Sequence, residues 1–244
     1  AVTVASRTLQ TQMWGLGVAP GRVVYLPNGA GKRRYAGWAA GDPAPVRERL
    51  GLGGRPVVLL YTRFDRFAVE RVPALMARVV EQVPEVRLLV VGRGFFGEEQ
   101  LLRQQMANRG LGPHLVDAGW VEECDLPAYL ASGDVALFPM DDTLTNRASC
   151  SAKLIELMVA GRPIVADAVG ENRELIEPRV CGLLTPPGDL GAQAGAIVAL
   201  LRDPAGRRSL GEAARERVWA AYDWDRLAER AEEAYRLAGA RGPG

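Results

Sequence analysis

From residue 56 onward, short apolar runs alternate with longer stretches in which apolar positions recur every three or four residues. The runs at 57–61, 86–91, 114–117, 135–138, 163–166 and 181–184 are rich in Val, Leu and Ile. Each predicts a strand, and 163–166 is too short and too apolar for anything but a buried parallel one. The stretches at 69–81, 97–109, 125–131, 151–160, 171–176, 190–201, 204–220 and 223–237 predict helices. Short parallel strands alternating with helices make an α/β fold with a doubly wound parallel sheet, and such sheets bind ligands at the carboxyl ends of their strands. Ahead of this region, residues 1–5 predict a strand, Ser6 a helix N-cap, and residues 23–26 a second strand ended by Pro27-Asn28-Gly29. Residues 29–45 are rich in Gly, Ala and Pro and predict a linker, with Lys32, Arg33 and Arg34 as a solvated cluster on it. The chain thus divides into 1–45, 46–222 and 223–244, the last being one helix and a frayed Arg/Gly-rich tail.

The stretch from 141 to 174 joins a polar loop, a helix, a buried strand and a second loop. A serine-containing loop that opens a helix directly after a strand presents free N–H groups and a partial positive charge, a ready phosphate site. Lys153 and the amides of Ser149, Cys150 and Ser151 are placed to hold a diphosphate, with Arg63 opposite. A lysine in a first helical turn opposes the helix dipole, and an anion there would account for it, although a solvated lysine is the commoner case. Glu156 could accept two hydrogen bonds from a ribose diol. A surface or arginine-paired glutamate fits its spacing equally well. Each candidate follows a predicted strand: Arg63 the first of the main region, Gly92-Arg93-Gly94 the second, Gly119-Trp120-Val121 the third, the 141–151 loop the fourth, and Val169-Gly170-Glu171 the fifth. They are expected to converge on one sheet edge.

Other motifs carry less. Gly92-Arg93-Gly94 with Gly97 matches a dinucleotide fingerprint literally, but it follows the second strand and lacks the acidic partner, so a packing turn is expected. Trp120 could stack on a base or pack in the core. His114 is expected to be structural, no Cys/His/Asp spacing suggests a metal, and no serine lies in a nucleophile elbow. A net charge of +1 over 244 residues gives no argument for nucleic acid or a polybasic membrane patch. Three cysteines make no disulfide framework, and a reducing compartment is the simpler expectation. Basic residues are nearly all arginine, the lysines being Lys32 and Lys153. The chain begins with a strand and no methionine, as if cut from a longer one.

An ordered set of pieces resembles the C-terminal half of the retaining nucleotide-sugar glycosyltransferases of the two-Rossmann-domain (GT-B) type, the large group-1 family. The pieces are the strand and serine at Ala1–Ser6, Leu26-Pro-Asn-Gly29, Thr62-Arg-Phe64, Val90-Val-Gly-Arg-Gly94, Ala118-Gly-Trp-Val121, Gly133-Asp-Val-Ala-Leu-Phe-Pro139, Ser151-Ala-Lys-Leu-Ile-Glu156, Ala160-Gly-Arg-Pro-Ile-Val165 and Cys181-Gly-Leu-Leu-Thr-Pro-Pro-Gly-Asp189. The resemblance implies a Rossmann-like domain binding a UDP- or GDP-sugar without cofactor or metal. Arg63, Ser149, Cys150, Ser151 and Lys153 would hold its diphosphate, Glu156 its ribose, and the backbone at Gly92, Trp120 and Val121 its base. It implies a cytoplasmic enzyme whose acceptor site, and any peripheral contact with a membrane, lie in a missing N-terminal domain. Residues 1–26 would be the end of that domain, and the last helix would pack back toward it, exposing Leu227, Ala231, Ala234 and Leu237 unless it docks elsewhere. Two positions depart from the family pattern. Its Glu-(seven residues)-Glu signature has Ala148 in first place, and the lysine five residues after the phosphate arginine is Ala68. Arg66 or Lys153 could supply the lost charge. A non-catalytic sugar-nucleotide-binding domain and a GT-B-fold epimerase or hydrolase are the alternatives.

Overall fold

A computed structural model describes residues 1–38 and 41–239. Its main sheet has six parallel strands: β3 (Val57–Tyr61), β4 (Arg87–Val91), β5 (Leu115–Asp117), β6 (Val135–Phe138), β7 (Ile164–Asp167) and β8 (Leu183–Thr185), in the order β5-β4-β3-β6-β7-β8. A separate pair, β1 (Val2–Val4) and β2 (Val23–Tyr25), is also parallel. The helices are α1 (Arg7–Gly15), α2 (Lys32–Tyr35), α3 (Ala44–Arg49), α4 (Arg71–Val80), α5 (Glu98–Asn108), α6 (Leu126–Ala131), α7 (Leu144–Ala148), α8 (Ala152–Val159), α9 (Asn172–Leu175), α10 (Leu190–Arg202), α11 (Pro204–Ala221) and α12 (Trp224–Gly239). The architecture is the expected α/β one.

The central strands are apolar on both faces because helices cover both. One core layer joins Leu59, Leu89 and Ala136 to α8 and α11; the other joins Val58, Leu60 and Leu137 to α4, α5 and α10. The strand order reverses between β3 and β6, and the chain leaves these two strands in opposite directions, opening a crevice at their carboxyl ends. No described helix is long and apolar enough to cross a membrane.

Three stretches differ from expectation. Residues 29–38 are not a loose linker. Ala30 donates to the Tyr222 carbonyl and accepts from the Trp224 amide, at 2.8 and 3.0 Å, and Tyr35 and Trp38 are buried in the main core. The basic cluster on this segment is solvated as expected, Lys32, Arg33 and Arg34 all being exposed, while Lys32 pairs with Asp223 at 2.5 Å and Arg34 with Glu123 at 2.7 Å. Composition suggested a linker because glycine and alanine dominate, while the two aromatic anchors do the packing. Within the 141–151 loop, Thr143 accepts from the Asn146 amide and caps the short helix α7. The apolar side of α12 lies on β1 and β2, which bury Leu227 and Ala234 and leave Ala231 and Leu237 half-buried. Most of the expected frayed tail, 240–244, lies outside the described residues. Ser6 caps α1 as expected, accepting from the Leu9 amide at 3.1 Å.

Candidate functional site

The segments that leave β3, β6 and the loop before α8 enclose a cleft of about 310 Å³. Arg63, Arg66, Lys153 and Ser151 line it, with Tyr61 and Glu156 at its inner end. A smaller hollow of about 140 Å³ adjoins it, sharing Tyr61, Lys153 and Glu156, and continues past Gly92, Trp120 and Val121 to Trp38. The two together form one groove along the carboxyl edge of the sheet, with Tyr61, Lys153 and Glu156 where they adjoin.

Glu156 is buried, 8% exposed, and each carboxylate oxygen accepts from one tyrosine: Tyr61 at 2.9 Å and Tyr35 at 3.3 Å. Burial and the facing carboxylate push the Tyr35 hydroxyl up to about 12 and that of Tyr61 above the ordinary phenol range, so both remain donors. Two phenol O–H groups replace part of the water that a buried carboxylate loses. Each oxygen keeps further lone-pair capacity for a ligand. The tyrosines come from α2 and β3, far apart in sequence, and helical spacing at Glu156 gives no sign of them.

Lys153 is half-buried, and its ammonium sits 3.8 Å above the Tyr61 ring. Burial lowers its pKa, and Arg63 adds to the lowering. Three cations, Arg63, Arg66 and Lys153, thus face one cleft with Asp65 and Glu156 as its only acidic lining residues among those described. Ser151 occupies the N-cap position of α8 without bonding a first-turn amide, so those N–H groups have no side-chain acceptor. Charge and dipole together suit an anion. Arg63 is exposed, its guanidinium between the Phe95 and Trp120 rings at 5.1 and 5.6 Å from their centroids.

Of the nine candidates from sequence, eight line the groove: Arg63, Cys150, Ser151 and Lys153 the larger part, Gly92, Trp120 and Val121 the smaller, and Glu156 both. Ser149 stands apart. Its amide and its hydroxyl both donate to the Asn146 carbonyl, at 3.2 and 2.9 Å, so neither is left for a diphosphate. The Cys150 carbonyl accepts from Asn28 at 2.6 Å, and burial pushes its thiol up to about 11. Trp120 is exposed rather than packed in the core. A Cβ on Gly92, at φ 125°, would stand 1.9 Å from the Thr62 carbonyl oxygen, so this glycine lets the β3 and β4 exits touch. His114 binds the Val86 carbonyl through Nδ1 at 2.9 Å, a structural role.

Sequence reasoning missed the clamp that shapes the cleft. Asn146 donates to the carbonyls of Arg66 and Asp141, both at 2.8 Å, and Asp141 accepts from the Ala68 amide at 2.7 Å. Arg71 joins Asp141 to the fully buried Asp167. Asp167 at the end of β7 and Asp141 shortly after β6 were the available signal. No group of three His, Cys, Asp or Glu side chains among the described residues is placed to hold a metal ion.

Comparison with known proteins agrees with this geometry. Residues 55–203 match the family described as glycosyl transferases group 1. The phosphatidyl-myo-inositol mannosyltransferase of Mycobacterium leprae is 32% identical over 96% of this chain and 58% of its own length. A GDP-mannose-dependent α-(1-6)-phosphatidylinositol monomannoside mannosyltransferase of Mycolicibacterium smegmatis is 28% identical over 98% of this chain and 62% of its own. Among solved structures, a sucrose-phosphate synthase from Thermosynechococcus elongatus superposes with a TM-score of 0.80 at 29% identity, over 97% of this chain and 58% of that one. The chain therefore spans a little over half the length of these relatives. With the family match covering most of the sheet and the relatives covering nearly the whole chain, this protein belongs to the group 1 glycosyl transferases.

Proposed function

We propose that this chain is the donor-binding half of a retaining glycosyltransferase that uses a nucleoside-diphosphate sugar. The observation that carries the reading is the two-part groove, with three cations and an uncapped helix N-terminus in its larger part and Glu156 where the two parts adjoin. In this reading Arg63, Arg66, Lys153 and the α8 amides hold the diphosphate. Glu156 takes the ribose hydroxyls, while Trp120, Val121 and the backbone at Gly92 border the base. Arg66 and Lys153 then provide the charge that the family pattern places at position 68. The bond from the sugar's anomeric carbon to the diphosphate oxygen breaks, the acceptor hydroxyl oxygen bonds that carbon, and the acceptor's proton leaves toward the diphosphate. The cationic part stabilises the charge that develops on the leaving group, with no metal required. The acceptor would be held by a further domain of the whole protein, which acts in the cytoplasm. Relatives whose names include GDP-mannose make a GDP-sugar the first donor to test.

The test is a thermal-shift and calorimetric panel of GDP, UDP, ADP and their sugars on the chain and on Arg63→Ala. Stabilisation by one nucleotide, weakened in the variant, is the expected result. Equal binding of all of them by both proteins would remove the reading. Ala148, where the family signature has glutamate, favours a second reading, a domain that binds the nucleotide sugar without turnover. Donor consumption by the full-length protein with an acceptor distinguishes the two.

A further inference from the structure

The opposite edge of the sheet carries a second pocket, of about 290 Å³, that the proposed reaction does not use. It lies where the chain enters β6 and β7, below the C-terminal end of α8 and against α11. Four arginines line it, Arg162, Arg207, Arg208 and Arg215, against two acids, Asp134 and Glu212. A close contact gathers them. A Cβ on Gly211 would stand 2.1 Å from the Gly161 carbonyl oxygen, so glycine there lets α11 rest directly on the end of α8.

The ordinary explanation of such a cluster is that arginines cap carbonyls and pair with acids. It accounts for half of this one. Arg162 donates to the carbonyls of Ala160, Ala131 and Gly133, and Arg207 to those of Leu200 and Leu201. Asp134 accepts from the Val57 amide and lies 3.7 Å from both Arg47 and Arg207. Arg208 and Arg215 are left over. Neither the exposed Arg208 nor the half-buried Arg215 makes a side-chain hydrogen bond or an ion pair among the described residues, although Glu212 is on the same helix. The Arg162 Nη2 is likewise unused, and burial together with Arg215 lowers the Arg162 pKa. Arg162 and the half-buried Arg215 repel one another, Arg208 lines the same hollow from its exposed side, and an anion joining them would relieve the repulsion, since forked guanidinium donors match phosphate oxygens.

We propose that this pocket binds a phosphate-bearing anion. Its volume suits a phosphomonoester about the size of a sugar phosphate. Arg208 and Arg215 would hold the phosphate from α11, and Arg162 Nη2 would meet it from the end of α8. The same helix α8 carries Lys153 in its first turn and Glu156 at its middle, so the ligand would sit against an element that also borders the groove. No residue of the groove lines this pocket, which would bind its anion whatever the groove holds.

The test uses protein carrying Arg63→Ala and Lys153→Met, which weakens anion binding in the groove, titrated with inorganic phosphate and glucose 6-phosphate against chloride at constant ionic strength. Calorimetry is expected to find binding that weakens about tenfold or more when Arg208→Gln and Arg215→Gln are added, the loss of one or more charge-assisted contacts. Arg162→Gln is a poorer probe because it strips three carbonyls of their donor, whereas Arg208 and Arg215 hold nothing in place. Co-sedimentation with phosphatidylcholine vesicles, with and without phosphatidic acid, separates the two sources of phosphate. Binding of soluble phosphate alone supports a small-molecule ligand, and phosphatidic acid-dependent sedimentation that phosphate displaces supports a lipid headgroup. Phosphate binding unchanged by the Arg208 and Arg215 substitutions, or no binding of either form, would overturn the proposal.

Discussion

Glu156 separates a ligand contact from a structural acceptor more sharply than any other residue here. Replacing it with alanine removes the acceptor for both Tyr61 and Tyr35, the second of which is 7% exposed. A stranded buried hydroxyl costs about 1–3 kcal/mol. The groove lets water reach at least one of the two, so a total near the same figure is expected, lowering Tm by roughly 2–10 °C in a protein of this size. Glutamine keeps the shape, accepts from Tyr61 through its oxygen and donates to the Tyr35 oxygen through its amide. Its Tm is expected to lie within about 3 °C of the parent. For a ribose diol the two differ from glutamate in the same way, because both lose the charged acceptor. Hydrogen bonds to a charged group contribute about 1.5–3 kcal/mol, which corresponds to a roughly 10- to 150-fold rise in Kd. The assay is calorimetry with the nucleotide that stabilises the parent, alongside ligand-free melting. If Glu156→Gln bound that nucleotide within about twofold of the parent, Glu156 would be only the tyrosines' acceptor and the ribose assignment would be wrong.

The other predictions concern the cleft and its supports. Lys153→Met is expected to raise the ligand-free Tm and weaken diphosphate binding about tenfold, since the lysine is half-buried and charged. The sign for pH follows from its lowered pKa: between that value and the unfolded one the unfolded chain binds more protons, so its burial penalty fades with rising pH while diphosphate affinity falls. Calorimetry from neutral to alkaline pH checks the affinity, and Lys153→Arg should flatten the profile. Arg71→Met leaves the fully buried Asp167 without its cation and should cost about 3–5 kcal/mol in urea unfolding. The Cys150 thiol, raised to about 11, should carry roughly 100-fold less thiolate than an unperturbed thiol and alkylate well after the exposed Cys124, as peptide mapping would show.

Much of the fold could be read from the chain alone because two periodicities run through it. Apolar runs such as 57–61 and 164–166 have no polar face, so they can only be central strands, and their alternation with helices leaves a doubly wound parallel sheet as the economical arrangement. That topology also placed the loops after β3, β4, β5 and β6 on one edge, which is why eight of nine candidate residues line one groove. What periodicity could not supply was any pairing between distant positions. Whether Glu156 faces solvent or two tyrosines depends on α2 packing across β3, and nothing local to the helix encodes that. Ser149 read as a phosphate ligand until Asn146, fixed by the Arg66 loop, took both its donors. Residues 29–38 read as linker because glycine and alanine outnumber Tyr35 and Trp38, yet two aromatic side chains bury enough surface to fold the segment into the core. The arginine pocket was invisible in a chain with arginine spread throughout, since only the contact of Gly161 with Gly211 brings Arg162 beside Arg215. Local pattern determined the elements and their order, because backbone hydrogen bonding and one-sided burial act over a few residues. The tertiary structure alone decided which charges meet, because that depends on the packing of segments far apart in the chain.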